Sequence, residues 1–372
     1  MTFKQLIKKL HLWLGFVSGI IVAFLGITGC MLAFQHEIEQ VTNPYQFVEI
    51  QEKPLLPPSK LQEIAVQALP EKHIHGIAYR EPGKAIVATF YSEEYYYLVY
   101  LNPYSGEVLK VKDMSRDFFR IIVNGHFYLW LPPAIGQPIV ASATLFFVIL
   151  LITGIILWWP RKGRFTKQTF SIKWANSERS NLDLHRVLGF YASWILIFIT
   201  FTGLVWGFQW FARSTYWLAS GGKQLTEFYM PTVDSIPAQK AETPAVDVLW
   251  ERMSKEYPSV KMLEVHIPEN DSSAIEVAAN PDDQTYWKAD YRYFDQYTLE
   301  EIEVTHLYGK LSNTTVADKI ARMNYDIHVG AIAGLAGKIL AFCASIIAAS
   351  LPVTGFLIWR SRRKKQQKPL FQ

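Results

Sequence analysis

The stretches LHLWLGF, residues 10–16, and LHRVLGF, residues 184–190, place a histidine in the same seven-residue frame twice, each time at the head of a long apolar run. Among 372 residues, 50% of them hydrophobic, four such runs stand out: Leu12–Phe34, Ile139–Trp159, Val187–Phe211 and Ile339–Trp359. Each is about 20 residues or slightly longer, enough at about 1.5 Å of helical rise per residue to cross a hydrocarbon core of about 30 Å. Composition and runs together predict an α-helical four-span membrane protein.

Basic residues set its orientation. Lys4, Lys8 and Lys9 precede the first span, Arg161, Lys162, Arg164 and Lys167 follow the second, and Arg360, Arg362, Arg363, Lys364 and Lys365 follow the fourth. By the positive-inside rule these regions and both termini are cytoplasmic, and the long connections, roughly residues 35–137 and 212–337, share the opposite side. The net charge of +4 expresses that asymmetry and implies no nucleic-acid partner. ITGC at residues 27–30 looks like a lipoprotein cleavage box, but the run is long for a signal segment and the third span carries Thr202-Gly203 in the same place. Cys30 is therefore read as incidental. Cys343 is the other cysteine, so there is no disulfide framework, CxxC pair or CxxCH haem-attachment site.

The halves agree beyond the heptapeptide. Thr28, Gly29, Phe34 and Gln35 match Thr202, Gly203, Phe208 and Gln209, while Thr153-Gly154 with Trp158 matches Thr354-Gly355 with Trp359. These Thr-Gly steps are expected to be close-packing points. Each long connection begins with a helical stretch, Lys60–Leu69 or Ala245–Tyr257. Strands follow at Ala85–Tyr91 and Tyr96–Leu101 in one copy, and at Ala274–Ala279 and Tyr286–Phe294 in the other. The turns NPYSGE, residues 102–107, and DQYTLE, residues 295–300, close the comparison. Two copies of span, small α/β domain, span in the same orientation predict an internal two-fold axis along the membrane normal.

That axis sorts the histidines. His11 faces His185 at the inner mouths of the first and third spans, and His126 faces His328 at the outer side, with Arg120 and Arg322 six residues ahead of the latter pair. Two imidazoles facing each other suit iron, copper or zinc, but fall short of the four ligands of a zinc site. Haem supplies the other four nitrogens, so a bis-histidine haem needs only such a pair. Gly15 and Gly189, one turn after His11 and His185, would clear space for a flat ring, although small residues at helical spacing also serve helix packing. Arg120 and Arg322 fit either haem propionates or snorkelling to headgroups. Arg186 belongs to the inner-face charge signal, with propionate contact as the second reading. His36, matched by Trp210 in the repeat, is a spare ligand candidate. His73, His75, His266 and His306 lack repeat partners; His73 and His75 alternate along an extended stretch and are candidates for touching a substrate. No phosphate loop, dinucleotide fingerprint or HExxH is present, and no catalytic residue is singled out.

In these motifs, LHxxLGF at His11, DLHRVLG at 183–189, Thr-Gly with LWW or LIW ending the second and fourth spans, His126, His328, NPYSGEV and FDQYTLEE, the chain resembles the PepSY-associated transmembrane family of bacterial, often iron-regulated, inner-membrane proteins. The resemblance covers nearly the whole length. It implies four transmembrane helices carrying two periplasmic α/β PepSY-like domains, and two non-covalent b-type haems on His11, His185, His126 and His328. For siderophore-linked members it further implies reduction of a ferric siderophore in the periplasm. The facing histidine pairs themselves suggest that electrons enter at the inner pair, from quinol or a cytosolic reductase, and leave from the outer pair to a ferric siderophore or another ferric complex. The expected organisation is a first transmembrane helix (1–36), PepSY-like domain 1 (37–125), and an interfacial segment with the second helix (126–160). A cytoplasmic loop (161–183), third helix (184–211), PepSY-like domain 2 (212–327), interfacial segment with the fourth helix (328–360) and a basic tail (361–372) complete it. Leu299 departs from the pattern, standing where a glycine is usual. The competing reading is a non-redox membrane protein whose PepSY domains bind peptides or restrain a periplasmic protease; a transporter is disfavoured because the spans lack broken-helix and buried-carboxylate signals.

Overall fold

The computed structural model describes residues 1–160, 165–233 and 242–366; Arg161, Lys162 and Arg164 of the inner-face charge signal, and the end of the basic tail, lie outside them. The helices are α1 (Phe3–Ala33), α2 (Gln35–Thr42), α3 (Pro58–Ala68), α4 (Phe118–Tyr128), α5 (Pro133–Trp158), α6 (Lys167–Phe170), α7 (Ser177–Gly207), α8 (Gln209–Ala219), α9 (Ala245–Glu256), α10 (Val316–Arg322), α11 (Asn324–His328) and α12 (Gly334–Gln366). Strands β1 (Gly76–Arg80), β2 (Ile86–Tyr91), β3 (Tyr96–Leu101) and β4 (Val108–Asp113) lie between α3 and α4. Strands β5 (Met262–His266), β6 (Ile275–Asn280), β7 (Asp290–Phe294) and β8 (Glu301–Ile302) lie between α9 and α10. The chain forms two compact units: a helical one from Met1–Gln35, Ile122–Thr215 and Asn324–Gln372, and a sheet one from His36–Ile121 and Tyr216–Met323.

In the helical unit, α1, α5, α7 and α12 are long and apolar enough to cross a membrane. Both α1 and α7 pack against α5 and α12, so α1 and α7 stand on one diagonal of a four-helix ring. Val22, Phe147, Leu151, Ala192, Leu196, Ala344 and Ala348 fill its middle. Helices in lipid associate through close packing rather than the hydrophobic effect, which favours small residues at their contacts. Gly26 shows why: a Cβ there would stand 2.7 Å from the Ser345 carbonyl and 2.9 Å from Ala349. Between α4 and α5 the chain reverses through Leu129 and Trp130, whose φ angles of 55° and 57° are left-handed. Pro133 then opens α5, where a missing N–H costs nothing.

In the sheet unit the two α/β copies are joined: β1 and β5 pair antiparallel, Gly76 opposite His266, and make one eight-stranded sheet ordered β4-β3-β2-β1-β5-β6-β7-β8. Alternation explains how one core serves both copies, because side chains at every second position point to the same face. Leu61 and Ala65 of α3, Leu249 and Met253 of α9, and Ile77, Phe90, Val99, Val265, Val277 and Phe294 of the strands form a single buried cluster. The strand expected from Tyr286 starts only at Asp290, because the Ala289 N–H donates to the Tyr286 carbonyl and closes a turn first. The two repeat turns are built alike. Asn102 Oδ1 accepts from the N–H groups of Tyr104 and Ser105, and Asp295 Oδ1 from those of Tyr297 and Thr298. Gly106 takes the left-handed step at φ 75°, whereas Leu299 takes it at φ 59°.

Candidate functional site

The helical unit brings the four repeat-matched histidines together as two pairs. His11 of α1 and His185 of α7 face each other across the ring diagonal with ring centres 6.3 Å apart. His126 of α4 and His328 of α11 form the second pair, with ring centres 6.2 Å apart. Two imidazoles sharing one metal, each nitrogen about 2.0 Å from it and about 1.1 Å from its own ring centre, have centres about 6 Å apart. Both pairs therefore have the separation that a shared metal requires. Among the described residues no third histidine, cysteine or carboxylate completes a metal-holding group, so the in-plane ligands would come from the group bound.

Each histidine rests on a Thr-Gly step from a neighbouring span. His11 Nδ1 lies 2.8 Å from Thr153 Oγ1, His185 Nδ1 2.9 Å from Thr354, His126 Nδ1 2.7 Å from Thr28 and His328 Nδ1 2.9 Å from Thr202. A Cβ on the glycine after each threonine would meet the ring's Cε1: at 3.5 Å for Gly154, 3.4 Å for Gly355, 3.7 Å for Gly29 and 3.4 Å for Gly203. Thr-Gly, read from sequence as a packing step, is thus a histidine seat. Among the described residues no Nε2 of the four makes a hydrogen bond, and none is a sealed, unpaired atom. The four rings are half-buried. An Nε2 with no hydrogen-bond partner is the donor a haem iron takes, so these residues fit that cofactor. The two levels are well separated: Thr28 seats His126 seventeen residues beyond His11 on α1, about 26 Å of helical rise.

The other sequence-predicted residues fall elsewhere. At Gly15 a Cβ would meet only Leu150 at 4.0 Å, and at Gly189 Leu351 at 3.4 Å, so neither glycine is a tight backbone contact like Gly26. Arg186 pairs with Asp183 at 3.7 Å. Arg120 lies in the sheet unit, its guanidinium 5.5 Å from the centre of the Tyr96 ring. Arg322, 6% exposed, donates to the carbonyls of Leu307, Ala289 and Gly309 and more distantly Trp287, so its guanidinium is committed to the sheet unit's backbone rather than to headgroups or a propionate. His36 is also in the sheet unit, where its Nε2 engages Gln40 at 2.8 Å and faces Asp283 at 3.6 Å. That nitrogen is already taken, which removes the reason to hold His36 as a spare ligand.

Reading the sequence missed three buried charges in the helical unit: Asp183, 1% exposed and held by the Arg179 Nε at 2.8 Å, together with Asp326 and Lys338. The signal was available, since Asp183-Leu-His185 and Asp326-Ile-His328 place an acid two residues before each second-copy histidine. Buried ionisable groups in membrane helices are functional candidates by default.

Comparison with characterised proteins gave no match. The chain does match a protein family, described as the PepSY-associated TM region, over residues 8–362. With four apolar helices, strands between the spans and that match over nearly its whole length, the chain belongs to the PepSY-associated transmembrane family.

Proposed function

We propose that this chain is a b-type haem electron-transfer protein of the bacterial inner membrane. In this reading it reduces a ferric siderophore or another ferric complex on the side of its long connections, the periplasm, with quinol or a cytosolic reductase as electron donor. The observation that carries the reading is the doubling of one geometry: two histidine pairs at opposite ends of the helical unit, each at the separation one shared metal needs.

His11 and His185 would hold one haem and His126 and His328 the other. Haem bound there supplies an iron that accepts and returns single electrons. The chain does the rest. A histidine pair at each level would supply both protein ligands to its haem, which favours electron transfer over oxygen binding. The apolar layer of Val22, Phe147, Leu151 and Leu196 excludes water from the middle of the bundle. On the outer side, reduction of a ferric complex weakens the grip of hard oxygen ligands on the metal, which suits iron uptake.

The absorption spectrum of the full-length protein, produced with ample haem and recorded before and after dithionite, tests this directly. A reducible low-spin haem spectrum with two haems per chain is expected. Colourless protein would sink the reading and favour a peptide-binding or protease-restraining role instead.

A further inference from the structure

The four Thr-Gly steps do more than pack, and we infer that Thr28, Thr153, Thr202 and Thr354 are positioning residues. Each fixes its histidine as the Nδ1–H tautomer, so that Nε2 is the nitrogen presented. The inference rests on the haem reading for its purpose, but the proton placement follows from the chain's own hydrogen bonds.

A threonine hydroxyl has one hydrogen to give. In each case a helical carbonyl four residues back stands ready for it: Thr28 Oγ1 is 2.9 Å from the Phe24 carbonyl, Thr153 2.7 Å from Ile149, Thr202 2.9 Å from Phe198 and Thr354 3.1 Å from Ser350. With the hydrogen placed there, the hydroxyl oxygen is left to accept, and the neighbouring Nδ1 must donate. The opposite arrangement, hydroxyl to Nδ1, would leave the hydrogen on Nε2 and make that nitrogen useless as a ligand.

His328 decides between the two. Its Nδ1 lies 2.9 Å from the Ile199 carbonyl, and a carbonyl can only accept, so Nδ1 carries the hydrogen. Ile199 stands three residues before Thr202. Leu150 and Leu351 hold the same position before Thr153 and Thr354. Back-bonding alone does not explain the pattern. Thr144 and Thr200 also donate to carbonyls four residues back, yet neither holds a histidine. Among the described residues only the four threonines followed by glycine do, and the glycine is what admits the ring edge.

Hydrogen bonds from the outer nitrogen of a ligating histidine raise its basicity and hold its orientation, and their loss typically costs about tenfold to a hundredfold in affinity. The test uses the full-length protein with ¹⁵N-labelled histidine in wild-type, Thr153→Val, Thr153→Ser and Thr200→Val forms. In haem-free protein, the nitrogen resonances of His11 should report a single Nδ1–H tautomer in wild type, a mixture in Thr153→Val, and recovery in Thr153→Ser. After haem loading, Thr153→Val should bind haem at the inner pair about tenfold or more weakly and raise its midpoint potential, with serine restoring both and Thr200→Val changing neither. Unchanged tautomer and potential in Thr153→Val would reduce the threonine to packing and overturn the inference. Wild type that takes up no haem would instead sink the haem reading, while the nitrogen resonances still decide the tautomer.

Discussion

The helical unit and the sheet unit contain the same internal repeat, but they keep it differently. In the helical unit the copies agree residue by residue around the histidine pairs: four histidines, four threonines and four glycines in one geometry. In the sheet unit the copies keep strand order and turn hydrogen bonds while exchanging side chains. His266 and Glu264 of β5 stand where the two-fold places Arg80 and Ala78 of β1, and Leu299 stands where the first turn has Gly106. The contrast separates two kinds of constraint. Where both copies contribute to one shared point, a residue lost from either copy spoils it, so both must keep it. Where the copies share only a backbone ladder and a core, any side chain that fits the face will serve.

The largest effect should come from breaking a shared point. His11→Ala and His185→Ala should each abolish haem at the inner pair completely, while leaving the His126–His328 haem in place; His126→Ala and His328→Ala should do the converse. Haem-to-protein ratios of the purified variants measure this. Loss of both haems from one substitution would mean that the pairs are not independent, and loss at only one level across all four variants would cut the count to a single haem.

The glycines sharpen the comparison within the helical unit. Gly26 faces backbone, with Ser345 and Ala349 atoms closer than 3.0 Å to a built Cβ, so Gly26→Ala must push α1 from α12. Overpacking of that kind costs about 1–3 kcal/mol, read as a lower thermal midpoint. Gly154 faces only the edge of His11 at 3.5 Å. Gly154→Val should therefore leave the fold nearly intact and displace the ring, removing the inner haem and sparing the outer. A Gly154→Val protein that loses stability but keeps its inner haem would return Thr-Gly to the packing role first read from the sequence.

How much of this was legible in the sequence follows from what each feature depends on. Span lengths, the repeat and the pairing of His11 with His185 were readable because apolar runs and spacing are local signals and a two-fold axis propagates them. The threonine seats were not, although Thr28 and its equivalents were noticed, because the partner of each lies on another helix and no spacing encodes it. Arg322 misled for a related reason. An arginine near a membrane end invites a headgroup or propionate reading, and only the folded chain reveals that the carbonyls of Leu307, Ala289 and Gly309 converge on it. The β1–β5 junction was equally hidden, since two domains and one fused sheet have the same strand pattern.

The turns break the comparison on the other side. At Gly106 a Cβ would run into Ile64, and its φ of 75° is one a side chain rarely adopts, so Gly106→Ala should destabilise the sheet unit by about 1–3 kcal/mol. Leu299 has accepted the same backbone strain, about 1–2 kcal/mol for a left-handed residue, and packs its side chain against the common core in return. Leu299→Gly relieves one and loses the other, so its thermal midpoint should stay within a few degrees of wild type. A large loss there would mean that the second copy depends on Leu299 as a core residue rather than merely tolerating it.

The smallest expected effect tests the asymmetric patch at the sheet junction. His75 and His266 have ring centres 4.6 Å apart, and Glu276 comes within 4.0 Å of His266 Nδ1. Burial holds both imidazoles below their ordinary range and pushes the carboxyls of Glu264 and Glu276 above theirs. A histidine with a depressed folded value contributes stability that is present above its ordinary value and lost as pH falls below it, because the unfolded chain takes up the proton first. A glutamate with a raised folded value works the other way, contributing below its ordinary value and losing that contribution as pH rises. The two trends offset on acidification, so removing one should expose the other. Between pH 7 and 5 the sheet unit of Glu276→Gln should lose thermal stability more steeply than wild type, and that of His266→Gln less steeply. The differences should amount to no more than a few degrees, since in a unit of this size even about 1 kcal/mol moves the midpoint by only about 2–4 °C. Identical slopes in all three proteins, followed through the infrared band of the sheet, would mean that these four side chains titrate as solvent-exposed groups. The departure of β5 from the repeat would then carry no electrostatic consequence.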